Sequence, residues 1–232
     1  YAACLWQNPV YLYLMKIKTH LPFPGIFLLL LLGILLLACQ PKESPRYLFF
    51  LHNRFLEDHE LEDEHPQHGR TQYEEVKAAF SDAGLTVISE KRPPNTDART
   101  YATAVVQQID SLLELGIPAD HITVVGTSKG GYIAQYVSTL AANPQLRFVF
   151  IGSFYSDDVE QIPEINYCGN ILTIYERSDP SGVSAIRRKE TSNLPITRFE
   201  EIELNTGLGH GFLFKPLPEW IVPTIDWAKA EE

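Results

Sequence analysis

The stretch Ile122-Thr123-Val124-Val125-Gly126-Thr127-Ser128-Lys129-Gly130-Gly131 decides how this chain is read. Residues 122–125, Ile-Thr-Val-Val, read as a strand. Beyond the paired glycines, Ile133, Ala134, Val137, Leu140 and Ala141 recur at helical spacing up to a stop near Asn143-Pro144. The residues between, Gly126 to Gly131, fit G-x-S-x-G, and the strand before and helix after supply the context that pattern requires. Small residues on either side of the serine let turn and helix backbones approach each other. Ser128 is then lifted above a sheet at the amino end of a helix, where the Lys129 N–H and the helix dipole face a developing negative charge. A phosphate-binding loop would end in Gly-Lys-Ser/Thr, whereas Lys129 follows the serine and not the last glycine. A glycine-rich turn holding an incidental serine is the other reading of these six residues.

Outward from the turn, strand and helix signals alternate. Strands are expected at 47–51, 85–88, 122–125, 148–151, 171–175 and 199–204. Helices are expected over 73–83, where Tyr73, Val76, Phe80 and Ala83 share a face, and over about 97–115. Shorter ones are expected near 183–190 and 220–227, the last carrying Pro223. This alternation predicts an α/β domain, a doubly wound and mostly parallel sheet of about six strands with helices on both faces. Only 19 residues, 152–170, separate the fourth and fifth strands, room for a loop or short helix and not for a large lid.

A nucleophilic serine needs a base, and the base needs an orienting acid. One histidine follows Ser128 in the sequence, His210, within Gly207-Leu208-Gly209-His210-Gly211-Phe212 after the sixth strand. The fifth strand leads into Glu176-Arg177-Ser178-Asp179-Pro180. With the serine turn, these motifs resemble the α/β-hydrolase family over about residues 47–227. The resemblance implies Ser128 as nucleophile, Asp179 as acid and His210 as base, with no cofactor. Glu176 is a rival acid, and Asp157 and Asp158 after the fourth strand are a second fallback. The resemblance also implies an oxyanion hole made by the backbone N–H groups of Lys129 and Arg54. The latter follows Leu51-His52-Asn53, with Asn53 where the family usually has glycine; asparagine tolerates unusual backbone angles better than other non-glycine residues.

The chain's 232 residues divide into a leader and a domain. Residues 1–38 contain no Asp or Glu. Met15-Lys16-Ile17-Lys18 is followed by an apolar block over 26–38, broken only by Gly33, and then by Cys39. This pattern resembles a bacterial lipoprotein signal peptide. It implies Met15 as the true start, lipid on Cys39 and a membrane partner through that lipid, with a tether over 39–46 and the hydrolase-like domain over 47–232. Gln40 after the cysteine favours the outer membrane by the same resemblance. The block is short for a membrane-spanning helix. Residues 39–232 hold 29 acidic against 17 basic side chains and no basic run, which argues against nucleic-acid binding. Without its leader the domain has no second free cysteine to pair with Cys168, so a hydrophobic core must hold it.

His52, His59, His65 and His68 lie among six acidic residues over 52–68. Neither HExxH nor EF-hand spacing occurs, and the stretch reads as a solvated acidic loop at the site's edge, with no metal. The expected function is therefore hydrolysis of a small-molecule carboxylic ester in the cell envelope. Thioester or peptide cleavage by the same residues, an inactive binding lipoprotein on a hydrolase fold, and a metal-dependent hydrolase are the alternatives.

Overall fold

In the computed structural model, residues 44–180 and 182–231 are described. The proposed leader, Cys39 and the first part of the tether lie outside them. Among the described residues no helix is long and apolar enough to cross a membrane.

Six strands form one sheet: β1 (Tyr47–Leu51), β4 (Thr86–Ile88), β5 (Ile122–Thr127), β6 (Arg147–Ile151), β7 (Gly169–Glu176) and β8 (Ile196–Leu204). Their order is β4-β1-β5-β6-β7-β8, and every neighbouring pair is parallel. The expected sheet is thus present, with no antiparallel member. Parallel neighbours require crossovers, and these are supplied mainly by α2 (Tyr73–Asp82), α3 (Ala98–Glu114), α4 (Lys129–Ala141) and the short α6 (Ile186–Thr191). The chain closes with α7 (Pro218–Lys229), which continues through Pro223. Between β6 and β7 the one helix is the short α5 (Asp158–Gln161), and among the described residues this connection holds no large lid.

The apolar runs have two faces to fill, and two clusters fill them. One gathers Phe50, Val76, Phe80, Phe212 and Trp220 under α2 and α7. The other gathers Val105, Ile109, Val124, Ile133 and Phe148 under α3 and α4. Central strand β5 is buried at every position, and its sequence carries no charged residue. Edge strand β8 alternates instead, and its charges are spent on near neighbours: Arg198 on Glu200, and Arg177 on Glu203.

The stretch expected as a solvated loop is more structured than its composition indicates. Residues 54–58 form α1 (Arg54–Asp58), and β2 (Glu64–His65) pairs antiparallel with β3 (Gly69–Arg70). The Asn53 side chain caps α1 by accepting from the Leu56 N–H at 3.1 Å. Its φ is −68°, so asparagine stands here as a helix cap and not for backbone tolerance.

The glycines of the β5–α4 turn are fixed by contact. A Cβ on Gly130 would lie 1.9 Å from the Leu51 carbonyl oxygen, and one on Gly126 2.1 Å from the Gly130 oxygen. Both obstacles are backbone and cannot swing aside. Gly130→Ala is therefore expected to cost about 3 kcal/mol or more, the upper end of overpacking penalties. Gly84→Ala, at φ +86° with open space around it, carries only the backbone strain of about 1 kcal/mol. Urea unfolding of the two variants checks this, and equal losses would show that the approach of α4 to β1 is not tight.

Candidate active site

Ser128 sits between β5 and α4 with φ 50° and ψ −120°, a strained conformation for a residue bearing a side chain. Its N–H donates to the Ile151 carbonyl at 2.9 Å, and its carbonyl accepts from Gly131 N–H at 2.8 Å, which holds the turn from both sides. The strain points the hydroxyl away from the sheet. There its oxygen lies 2.9 Å from His210 Nε2. His210 Nδ1 in turn lies 2.6 Å from Asp179 Oδ2. A carboxylate oxygen can only accept, so Nδ1 carries the proton and Nε2 is left to accept from the serine. The structure thus brings Ser128, Asp179 and His210, from the turns after β5, β7 and β8, into one hydrogen-bonded line. Asp179 is fully buried at its side chain, and His210 is 25% exposed at the open end.

The rival acids are turned elsewhere. Glu176 is fully buried at the end of β7 and accepts from both turns of the site. Ser178 donates its N–H at 3.1 Å and its hydroxyl at 2.8 Å, and Thr206 donates both its N–H and its hydroxyl at 2.8 Å. Burial alone would push this carboxyl up. The donors from Thr206 and Ser178 outweigh it and hold the group down at about 2. Ser178 Oγ then accepts from the Gly209 N–H at 3.0 Å, so one carboxylate ties the acid turn to the histidine turn. Asp158 accepts from the Tyr132 hydroxyl and the Tyr155 N–H, and Asp157 from the Gln161 amide.

Arg54 and Lys129, the expected oxyanion donors, are the first residues of α1 and α4, where N–H groups have no partner within the helix. The close contact between Gly130 and the carbonyls of Leu51 and His52 sets the end of β1 against the turn that carries Ser128. Beneath them lies a group the sequence reading missed. Glu57, from the acidic run, is fully buried and pairs with Arg92 Nε at 3.3 Å and with the Lys129 ammonium. It also accepts from the Thr96 N–H at 3.1 Å. The available signal was the Asn53 cap followed by Phe55 and Leu56, which marks one turn of helix and sends Glu57 inward.

The histidines of the same stretch part company. His52 is buried, its Nε2 accepting the Arg92 N–H at 2.9 Å while Nδ1 donates to the Asn53 carbonyl at 2.8 Å. Burial, then the Arg92 charge, pulls it down to about 3, so it is a neutral strut of the β1–α1 turn. His65 and His68 stack at 4.4 Å and pack on Phe214, and His59 stacks on Phe55. Burial and the adjoining His65 hold His68 below its usual value. Among the described residues no three His, Cys, Asp or Glu side chains gather as metal ligands.

The protein is similar to several solved structures. SOBER1 of Arabidopsis thaliana superposes with a TM-score of 0.53 at 15% identity, over 80% of this chain and 98% of that one. An arylesterase gives 0.54 at 16% identity, over 81% and 76% of the two chains. An esterase/lipase from an uncultured bacterium gives 0.53 at 12% identity, again over 81% and 76%. At these identities the likeness is one of fold, and the chain has the α/β-hydrolase fold in a minimal form. No protein-family model matches the sequence, and no curated protein matches it.

His52 gives the domain a testable pH dependence. Its folded value of about 3 lies below the unfolded value near 6.5, so the unfolded chain binds the extra proton between them. The contribution is complete above pH ~6.5 and declines as pH falls, by up to about 1.4 kcal/mol per unit. Glu176 adds its own loss only below its ordinary value near 4.5. Urea unfolding between pH 7 and 5 should show a shallower slope for His52→Gln than for the wild type, and parallel slopes would refute the assignment.

Proposed function

We propose that the protein is a serine hydrolase that cleaves carboxylic esters through an acyl-enzyme. The observation that carries this reading is the line Ser128–His210–Asp179 on a strained strand-to-helix turn. His210 Nε2 takes the proton from Ser128 as Oγ bonds to the carbonyl carbon of the ester. The carbonyl oxygen becomes an oxyanion, to which the N–H groups of Lys129 and Arg54 donate at the amino ends of α4 and α1. Asp179, its side chain fully buried, keeps the imidazole in the required tautomer and balances the imidazolium. As the tetrahedral adduct collapses, the bond to the alkoxy oxygen breaks and His210 returns its proton to the leaving alcohol. Water then repeats the sequence on the acyl-enzyme and frees the acid and Ser128.

Ester chemistry is favoured because, among the described residues, the β6–β7 connection carries only the four-residue α5, which suits small or exposed acyl substrates. The names of the arylesterase and of the esterase/lipase with the same fold point the same way. A fluorophosphonate reports the nucleophile directly. It is expected to label Ser128 in wild type and not in Ser128→Ala. Asp179→Asn, which misorients the imidazole, should lower kcat on p-nitrophenyl acetate by about 10⁴-fold. Folded wild-type protein that takes no label would leave the inactive binding fold as the better reading.

The second part of the proposal is a place in the bacterial cell envelope, outer membrane preferred, through lipid on Cys39. It is supported by the basic start at Lys16 and Lys18, the apolar block over 26–38 and the small residue before the cysteine. Wild-type protein expressed in a bacterium should partition with membranes, and Cys39→Ala should release it. Membrane association that survives the substitution would replace the lipid with an uncleaved anchor.

A further inference from the structure

We infer that a cleft opening at Lys129 is a subsite for a sugar ring, so that the ester cleaved is one whose alcohol is a carbohydrate. This rests on Ser128 being the nucleophile. The cleft has a volume of about 580 Å³, the size of a small-molecule site. Its lining comes from the carboxyl edge of the sheet. Lys129 is bonded to Ser128 itself, Tyr155 and Gln161 follow β6, and Tyr132 and Tyr136 descend the same flank of α4. Ligands of open parallel sheets bind along that edge.

The aromatic groups there are fixed in place. Tyr132 and Tyr155 stack with centroids 6.2 Å apart and planes 18° from parallel. One buried carboxylate, Asp158, holds both, accepting the Tyr132 hydroxyl at 2.5 Å and the Tyr155 N–H at 2.7 Å. The buried Arg188 guanidinium pins the same segment by donating to the carbonyls of Asp158 at 2.5 Å and Ile165 at 2.9 Å. Tyr136 donates its hydroxyl to Glu164 at 2.8 Å. Burial and these acids push the phenols of Tyr132 and Tyr136 up, so their rings stay neutral and their protons stay committed. What remains on offer is an electron-rich aromatic face, suited to the C–H face of a ring.

Beside it, Asp157 and Gln161 are joined side chain to side chain. A carboxylate with an amide presents acceptors and a donor at once, the combination that neighbouring hydroxyls require. An acyl tail has no hydroxyl to offer this exposed pair, whereas a sugar does. An anion meets Asp157, and the Lys129 ammonium is already paired with Glu57.

Saturation-transfer NMR with methyl β-D-glucopyranoside tests the site on the whole protein. Transfer to the glucoside is expected for wild type and for Ser128→Ala, and its loss is expected in Tyr155→Ala and Gln161→Ala. Tyr155→Phe keeps the ring and should keep the signal, which guards against a merely unfolded alanine variant. In kinetics, the ratio of kcat/KM for a mono-O-acetylated methyl glucoside to that for p-nitrophenyl acetate should fall at least tenfold in Tyr155→Ala. No transfer to the glucoside, transfer instead to tetramethylammonium, or an unchanged ratio overturns the subsite. Fluorophosphonate labelling separates the two readings. A labelled Ser128 with no glucoside signal sinks the subsite alone. Glucoside transfer without labelling sinks the hydrolase and the carbohydrate ester with it, leaving a sugar-binding cleft.

Discussion

Everything at the carboxyl edge depends on how closely α4 lies against β1. The Leu51 carbonyl occupies the space where a side chain on Gly130 would begin, and Gly126 and Gly130 press on each other in the same way. Backbone packed this closely leaves Ser128 no ordinary conformation, and its φ of 50° follows from the squeeze. The same approach draws the β1–α1 turn beside the serine. A single contact between main chains thus sets both the exposure of the hydroxyl and the position of a second helix amino end.

Two buried carboxylates brace this arrangement from opposite sides, and neither belongs to the reacting line. Glu57 joins α1, the 92–96 segment and the head of α4, with a cation on two of its sides. Glu176 joins the acid turn to the histidine turn using uncharged donors. The difference in partners is physically apt. A full positive charge beside His210 would oppose the imidazolium that forms during proton transfer, whereas N–H and hydroxyl dipoles satisfy Glu176 with a much weaker opposing field.

Much of this was legible from the residues. β5 and α4 announce themselves by a β-branched run followed by a helical stripe, and Ser128, Asp179 and His210 fall in order after β5, β7 and β8. What escaped was direction. In Glu57-Asp58-His59-Glu60 every residue is a plausible surface group by composition, and beyond the Asn53 cap it is the three-dimensional position of Arg92 and Lys129 that shows which of them turns inward. Asn53 could be read as a backbone-tolerant residue or as a cap, and the first turn of α1 decides for the cap. Glu176 looked like a competitor for Asp179 because spacing along a strand does not show which carboxylate meets hydroxyls and which meets imidazole. The two-residue hairpin of β2 and β3 is too short to leave a periodic trace.

The two ends of the sheet are unequal, and this bears on how copies of the chain meet. On one side β4 offers three residues, too short a template for a stable added strand. On the other, β8 offers nine, but its side chains are interleaved charges already latched to neighbours on their own strand or on β7 and the segment after it. An incoming strand would have to break those pairs or match their sequence of signs. The sheet is therefore finite by construction, and an open parallel edge, the usual entry to fibrous assembly, is closed on one side by brevity and on the other by electrostatics.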